Sequence, residues 1–228
     1  MMKKIGVLLS GSGVYDGAEI HESVFTLLAI EEAEAQAICI GVDRKQHHVV
    51  NHMTGEEQKE ERNMLVEAAR IARGDIRPIS DVDPADLDML VIPGGFGSAK
   101  NFTSWAFKGP ESDILPEVKL LLVNLVNIGK PIVALCVSPV VVAKAFQDSE
   151  IQPMLTIGTD KEDSPYDING FSEGLVATGA KTVKKKNSEI NIDQANKIVT
   201  APCYMMKTDL VTLRKNISDA INAGIDLI

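Results

Sequence analysis

The chain has 228 residues, 45% hydrophobic and 24% charged, a balance that excludes a disordered polymer and fits a globular chain able to bury a full core. Its 23 basic and 32 acidic residues leave a net charge of −9, which argues against a phosphate-backbone partner. The uncharged stretch 131–143 is too short to span a bilayer, so no membrane partner is expected. The opening Met1-Met2-Lys3-Lys4-Ile5-Gly6 runs directly into strand-like sequence, without the apolar stretch and cleavage site of a signal peptide, and a cytosolic location is expected.

In chain order, buried strands are predicted over Ile5–Ser10, Ala37–Val42, Met89–Pro93, Ile132–Cys136, Leu155–Thr159 and Lys197–Ala201. Most are short, rich in Ile, Val and Leu, and apolar on both faces, as parallel strands covered on both sides are. Helices are predicted over Glu19–Glu34, Glu57–Arg73, Glu117–Ile128, Pro139–Phe146 and Leu210–Ile225, with Ile20, Val24, Leu27, Leu28 and Ile30 forming the apolar face of the first. Thr182–Asp193, with Asn187-Ser188 as its turn, predicts an antiparallel hairpin. The alternation predicts one doubly wound α/β domain over residues 1–228. The segment Arg44–Thr54, with His47, His48 and His52, interrupts the alternation and is expected to form a loop over the sheet.

Ligands of an open parallel sheet bind at the carboxyl ends of its strands, so the residues after each strand matter most. Cys136 follows one strand and precedes a helix that Ser138 would cap and Pro139 would start. A thiol at a helix N-terminus is favoured as thiolate, and the strand–turn–helix arrangement is that of a nucleophile elbow. The position also suits a small buried residue at a strand end. Glu22 and Glu19 share a face of the first helix. Near a thiol, such a carboxyl would be desolvated, protonated and able to move protons, although acidic residues also simply suit a first helical turn. Gly94-Gly95-Phe96-Gly97 offers backbone N–H groups for an oxyanion, or a turn that needs positive φ.

Other motifs carry less. The Gly11-x-Gly13 pair has its next glycine at Gly17, one residue late for a dinucleotide fingerprint, and no phosphate-binding loop motif is present. His48, His52 and Glu56 have helical spacing in a polar loop; neither a metal nor any other cofactor is expected, and His52 is the loop histidine placed nearest the pocket. The three cysteines are far apart and odd in number, so no disulfide framework is expected. Cys39 fits the core, whereas Cys203, just past the last strand, is a pocket candidate.

The runs Ser10-Gly11-Ser12-Gly13-Val14-Tyr15-Asp16-Gly17-Ala18-Glu19-Ile20-His21-Glu22, Val50-Asn51-His52-Met53-Thr54-Gly55-Glu56, Ile92-Pro93-Gly94-Gly95-Phe96-Gly97-Ser98-Ala99-Lys100-Asn101 and Leu155-Thr156-Ile157-Gly158-Thr159-Asp160 resemble the ElbB family of the ThiJ/PfpI superfamily. The resemblance covers nearly the whole chain. It implies a flavodoxin-like α/β/α sandwich of the class I glutamine amidotransferase type, a homodimer, and an association with isoprenoid biosynthesis. It implies Cys136 as the elbow nucleophile, Glu22 as its carboxyl partner, and Gly95 with Val137 as the oxyanion hole. Glu19, Gly94, Asn101, His52 and Cys203 complete the expected substrate pocket. The implied activity is that of a glyoxalase-like lyase, converting small carbonyl substrates such as methylglyoxal to hydroxy acids without glutathione. A non-catalytic thiol sensor or stress-linked interaction protein using the same Cys136 is the rival from another class.

Overall fold

The computed structural model describes residues 2–228. Its elements run β1 (Lys4–Leu9), α1 (Ile20–Glu32), β2 (Gln36–Gly41), α2 (Met64–Ile71), β3 (Arg77–Pro78), β4 (Met89–Ile92), α3 (Trp105–Lys108), α4 (Pro116–Asn127), β5 (Ile132–Leu135), α5 (Pro139–Phe146), β6 (Met154–Leu155), α6 (Ile168–Ala177), β7 (Lys181–Thr182), β8 (Asn191–Asp193), β9 (Ile198–Ala201) and α7 (Leu210–Asp226). Seven strands form one sheet in the order β3-β2-β1-β4-β5-β9-β8, and only the edge strand β8 is antiparallel to its neighbour. The strands β4 and β5, and β1 after Lys4, consist of wholly apolar runs because helices cover both faces. Helices α1 and α7 pack on each other, as do α4 and α5, and β5 lies against α4, α5 and α7. The result is the doubly wound α/β/α sandwich expected from the alternation.

From β1 the sheet grows one way through β2 and β3, and from β4 it grows the other way through β5 and β9. The reversal opens a crevice beyond the carboxyl ends of β1 and β4, where doubly wound sheets bind ligands. Leu9, Ile92 and Leu135, at the carboxyl ends of β1, β4 and β5, have no exposed surface, so the residues just beyond them are held by a rigid floor.

Several predicted elements differ in the structure. The Glu57–Arg73 helix is only α2, because Asn63 Oδ1 accepts from Leu65 N at 2.9 Å and Val66 N at 3.1 Å and so caps the helix there. The expected strand Leu155–Thr159 shortens to β6, which lies outside the main sheet and pairs in parallel with β7. Side chains join the two sheets: Asp193 Oδ2 accepts from Met154 N at 2.8 Å, Asn191 Nδ2 donates to Met154 O at 2.7 Å, and Thr200 Oγ1 accepts from Thr156 N at 3.0 Å. The antiparallel hairpin is β8–β9, not Thr182–Asp193, since Thr182 is committed to β6. Neither β3 nor α6 was expected. The first helix is turned relative to its apolar pattern. Ile20, Val24 and Leu28 are exposed, while Glu22, Ser23, Thr26, Ala29 and Ile30 are buried. Packing against α7 and the crevice selects a face that the apolar spacing alone does not.

Leu90 is completely buried at the centre of the sheet, between β1 and β5. Leu90→Ala should cost about 2–5 kcal/mol of folding stability, read as a lower midpoint in urea at unchanged slope.

Candidate active site

Three strand exits meet at Cys136. The residue takes φ 56°, a left-handed conformation that costs a non-glycine residue on the order of 1–3 kcal/mol, and this turns its side chain back over the sheet edge. Its N–H donates to Ala201 O at 2.9 Å, which ties the elbow to the end of β9. Pro139 opens α5 as expected. Ser138 does not cap it: its hydroxyl donates to Pro93 O at 2.6 Å and meets Ser98 Oγ at 2.8 Å. That contact fixes the elbow to the turn after β4.

Glu22 has no exposed surface. Its Oε2 accepts from Gly94 N at 2.8 Å and its Oε1 from Tyr204 N at 3.2 Å, and both the carboxyl and the Cys136 thiol pack against Gly94. Burial, then the negative charge of Glu19, push its pKa up to about 8, so the carboxyl holds its proton at neutral pH. Gly94 is where these groups converge. A Cβ there would lie 2.3 Å from Cys136 Cβ and 2.4 Å from Glu22 Oε2, so only glycine admits the contact. Gly95, at φ 96°, lines the niche together with Cys136. The Val137 N–H follows directly on the elbow.

The thiol is not the activated thiolate that its position before α5 predicts. Burial raises the Cys136 pKa well above the ordinary thiol value, and the charges of Glu22 and Cys203 add to this, outweighing the N–H of Gly95. In the dry niche, desolvation outweighs the dipole of a helix of two turns.

The remaining expected residues fall into two groups. Glu19 lines the niche with Cys136 and caps α1, its Oε2 accepting from Glu22 N at 2.7 Å. Its own pKa is raised, chiefly by burial. Cys203 is buried behind the niche at φ 48°, with its N–H on Asn216 Oδ1 at 3.1 Å. Asn101 and His52 line neither the niche nor the cleft outside it. Asn101 spends its amide on scaffolding, Nδ2 donating to Ser10 O and Asp16 O, both at 2.9 Å, and Oδ1 accepting from His47 N at 2.8 Å. His52 accepts from Tyr15 N at 3.3 Å and stacks on the Tyr15 ring, outside the loop 11–18. His47 and His48 stack on Phe107, away from the thiol.

The sequence reasoning missed His21, Tyr166 and Tyr204. His21 Nδ1 is 2.9 Å from the Tyr204 hydroxyl and 3.9 Å from Glu19 Oε1. Its adjacency to Glu22 was the available signal. Tyr166 and Tyr204 lie in segments without strand or helix periodicity, and only folding brings them to the thiol.

Fold and elbow together define a class I glutamine amidotransferase-like protein of the ThiJ/PfpI type. No family model matches the chain. It is 36% identical over 228 residues to "ES1 protein homolog, mitochondrial" of Rattus norvegicus, covering 98% of this chain and 84% of that protein. It is equally identical to "Glutamine amidotransferase-like class 1 domain-containing protein 3, mitochondrial" of Homo sapiens, covering 98% and 83%. The crystal structure of an isoprenoid biosynthesis protein with amidotransferase-like domain, from Ehrlichia chaffeensis, superposes with a TM-score of 0.88 at 33% identity, covering 99% of this chain and all of that one. The chain therefore belongs to the ElbB family, with the ES1 proteins among its relatives. Drosophila melanogaster DJ-1beta, at 18% identity and a TM-score of 0.55, shares the fold. The cytosolic location expected from the sequence is overturned, because the curated relatives are named as mitochondrial proteins.

Because Glu22 keeps its proton up to about pH 8 in the folded chain, against 4.5 ordinarily, the native state binds the extra proton between those values. Stability should fall as pH rises through that window. Glu22→Gln should remove this fall, raising the thermal midpoint relative to wild type more at pH 9 than at pH 5. An equal effect at both would show that Glu22 is ionised in the fold.

Proposed function

We propose that the chain is a glyoxalase-like, cysteine-dependent lyase, converting small 2-oxoaldehydes and water to 2-hydroxy acids. The observation that carries this reading is a fully buried carboxyl, Glu22, held by the Gly94 N–H and packed with the Cys136 thiol against Gly94, in a niche that Gly95 also lines. Cys136 Sγ adds to the aldehyde carbon, and its proton passes to the new oxygen, which the Gly95 and Val137 N–H groups hold. The Glu22 carboxylate takes the proton from that carbon and returns it to the neighbouring carbonyl carbon, while the hydroxyl proton passes from the first oxygen to the second, so that a 2-hydroxy thioester of Cys136 forms. Water then cleaves the resulting thioester and restores the thiol. The aldehyde carbon is oxidised and its neighbour reduced, so no external redox partner or cofactor is required.

A thiol sensor needs an exposed thiol of low pKa. Cys136 is only 5% exposed, which favours the enzyme over that rival. The resemblance implies a homodimer, and the exposed apolar stripe Ile20, Val24, Leu28 on α1 supports burial of that face. The related Ehrlichia chaffeensis protein, an isoprenoid biosynthesis protein by name, supports a connection with that metabolism. The mitochondrial names of the relatives support the same compartment here.

Methylglyoxal consumption without glutathione, followed as lactate, tests the reading. Cys136→Ala should abolish turnover, and Glu22→Gln should lower kcat by about 10²–10⁴-fold. Turnover that survives Cys136→Ala would refute the nucleophile. The base form of Glu22 is the active one, so wild-type kcat/KM should rise with pH along a limb centred at about 8. A limb in the ordinary carboxylate range would assign the proton transfer to another group.

A further inference from the structure

The niche around Cys136 is too small for a substrate. Its free space is about 10 Å³, room for roughly one water-sized group. It opens into a chamber of about 610 Å³, within the range of sites for drug-sized ligands. The two are adjacent, and Val14, Glu19, Tyr166 and Tyr204 line both. Methylglyoxal has a single methyl group beyond its two carbonyls and would leave nearly all of this chamber to water.

The chamber wall is preset. Tyr166 packs edge-on against Phe96, with ring centroids 5.7 Å apart. Tyr204 is fixed at both ends, by its N–H on Glu22 Oε1 and its hydroxyl on His21 Nδ1. Rigid tyrosine faces offer broad apolar contact at little entropic cost. Pro165 and Met206 extend the apolar wall. Lys207 Nζ lies 3.9 Å from Asp163 Oδ2, and His21 Nδ1 lies 3.9 Å from Glu19 Oε1, at the edge of this apolar wall.

Resting on the reading of Cys136 and Glu22 given above, we propose that the substrate is a 2-oxoaldehyde carrying an uncharged aryl or bulky alkyl body. The aldehyde group reaches into the Cys136 niche, and the second carbonyl and the body lie in the tyrosine-walled chamber. The reaction balances as before: the oxoaldehyde gains one water and becomes the corresponding 2-hydroxy acid.

Phenylglyoxal and methylglyoxal, compared on the full chain without glutathione, test this. No arginine, the side chain that phenylglyoxal modifies, lines the chamber. We expect kcat/KM for phenylglyoxal to exceed that for methylglyoxal by about tenfold or more. Tyr166→Ala should erase that preference, Tyr166→Phe should keep it, and Thr208→Trp, which fills the chamber from its half-buried wall, should also erase it. Equal or lower efficiency for phenylglyoxal, or a preference that survives both Tyr166→Ala and Thr208→Trp, overturns the proposal. If wild type turns over neither aldehyde, the glyoxalase reading itself falls. Protection of Cys136 from iodoacetamide then decides about the chamber. Mandelate protecting at about tenfold lower concentration than lactate supports an aryl-binding chamber, and equal protection refutes it.

Discussion

One buried carboxyl ties the site to the fold. Glu22 lies on α1, yet its two oxygens accept from the turn after β4 and from the exit of β9, and it also meets the thiol after β5. Three strand exits and the first helix thus converge on a group that the interior allows only as a neutral acid at physiological pH. Its N–H partners lower the pKa, but less than burial and Glu19 raise it. The surplus is a proton held beside a thiol, at a stability cost that grows as the pH rises.

The same constraint explains the local backbone. Cys136 and Cys203 both occupy left-handed conformations that non-glycine residues avoid. The hydrogen bond from Cys136 N to Ala201 O and that from Cys203 N to Asn216 Oδ1 hold the two strained turns in place. Gly94 and Gly95 have the converse role: neither can carry a Cβ, since that of Gly94 would strike Cys136 and Glu22, and that of Gly95 would lie 2.4 Å from Glu19 N and from Gly17 O. The close approach of backbone to thiol is what leaves so small a niche, and a chamber must lie outside it.

Much of this was legible in the chain. The six apolar runs place the strands, five of them in the main sheet, because parallel strands buried on both faces must be apolar throughout. The cysteine before Ser138-Pro139, the glycine turn and the two glutamates all fall at strand exits, where the topology brings ligands. The weaker assignments failed where side chains replaced periodicity. Asn63 capped α2 short, and Asn191, Asp193 and Thr200 bound β6 through side-chain bonds rather than as a strand of the main sheet. Asn101 and His52 were expected in the pocket for their residue types, but their polar atoms hold loops together.

The sequence by itself determined the sandwich and placed the thiol, the glutamate and the glycine turn at strand exits, because local pattern and strand-end position carry that information. Tertiary structure alone decided which face of α1 turns inward, that Tyr166 and Tyr204 wall the approach, and that Cys136 and Glu22 both hold their protons. Those outcomes depend on desolvation and on contacts between segments remote in the chain, and neither has a period that a linear reading can detect.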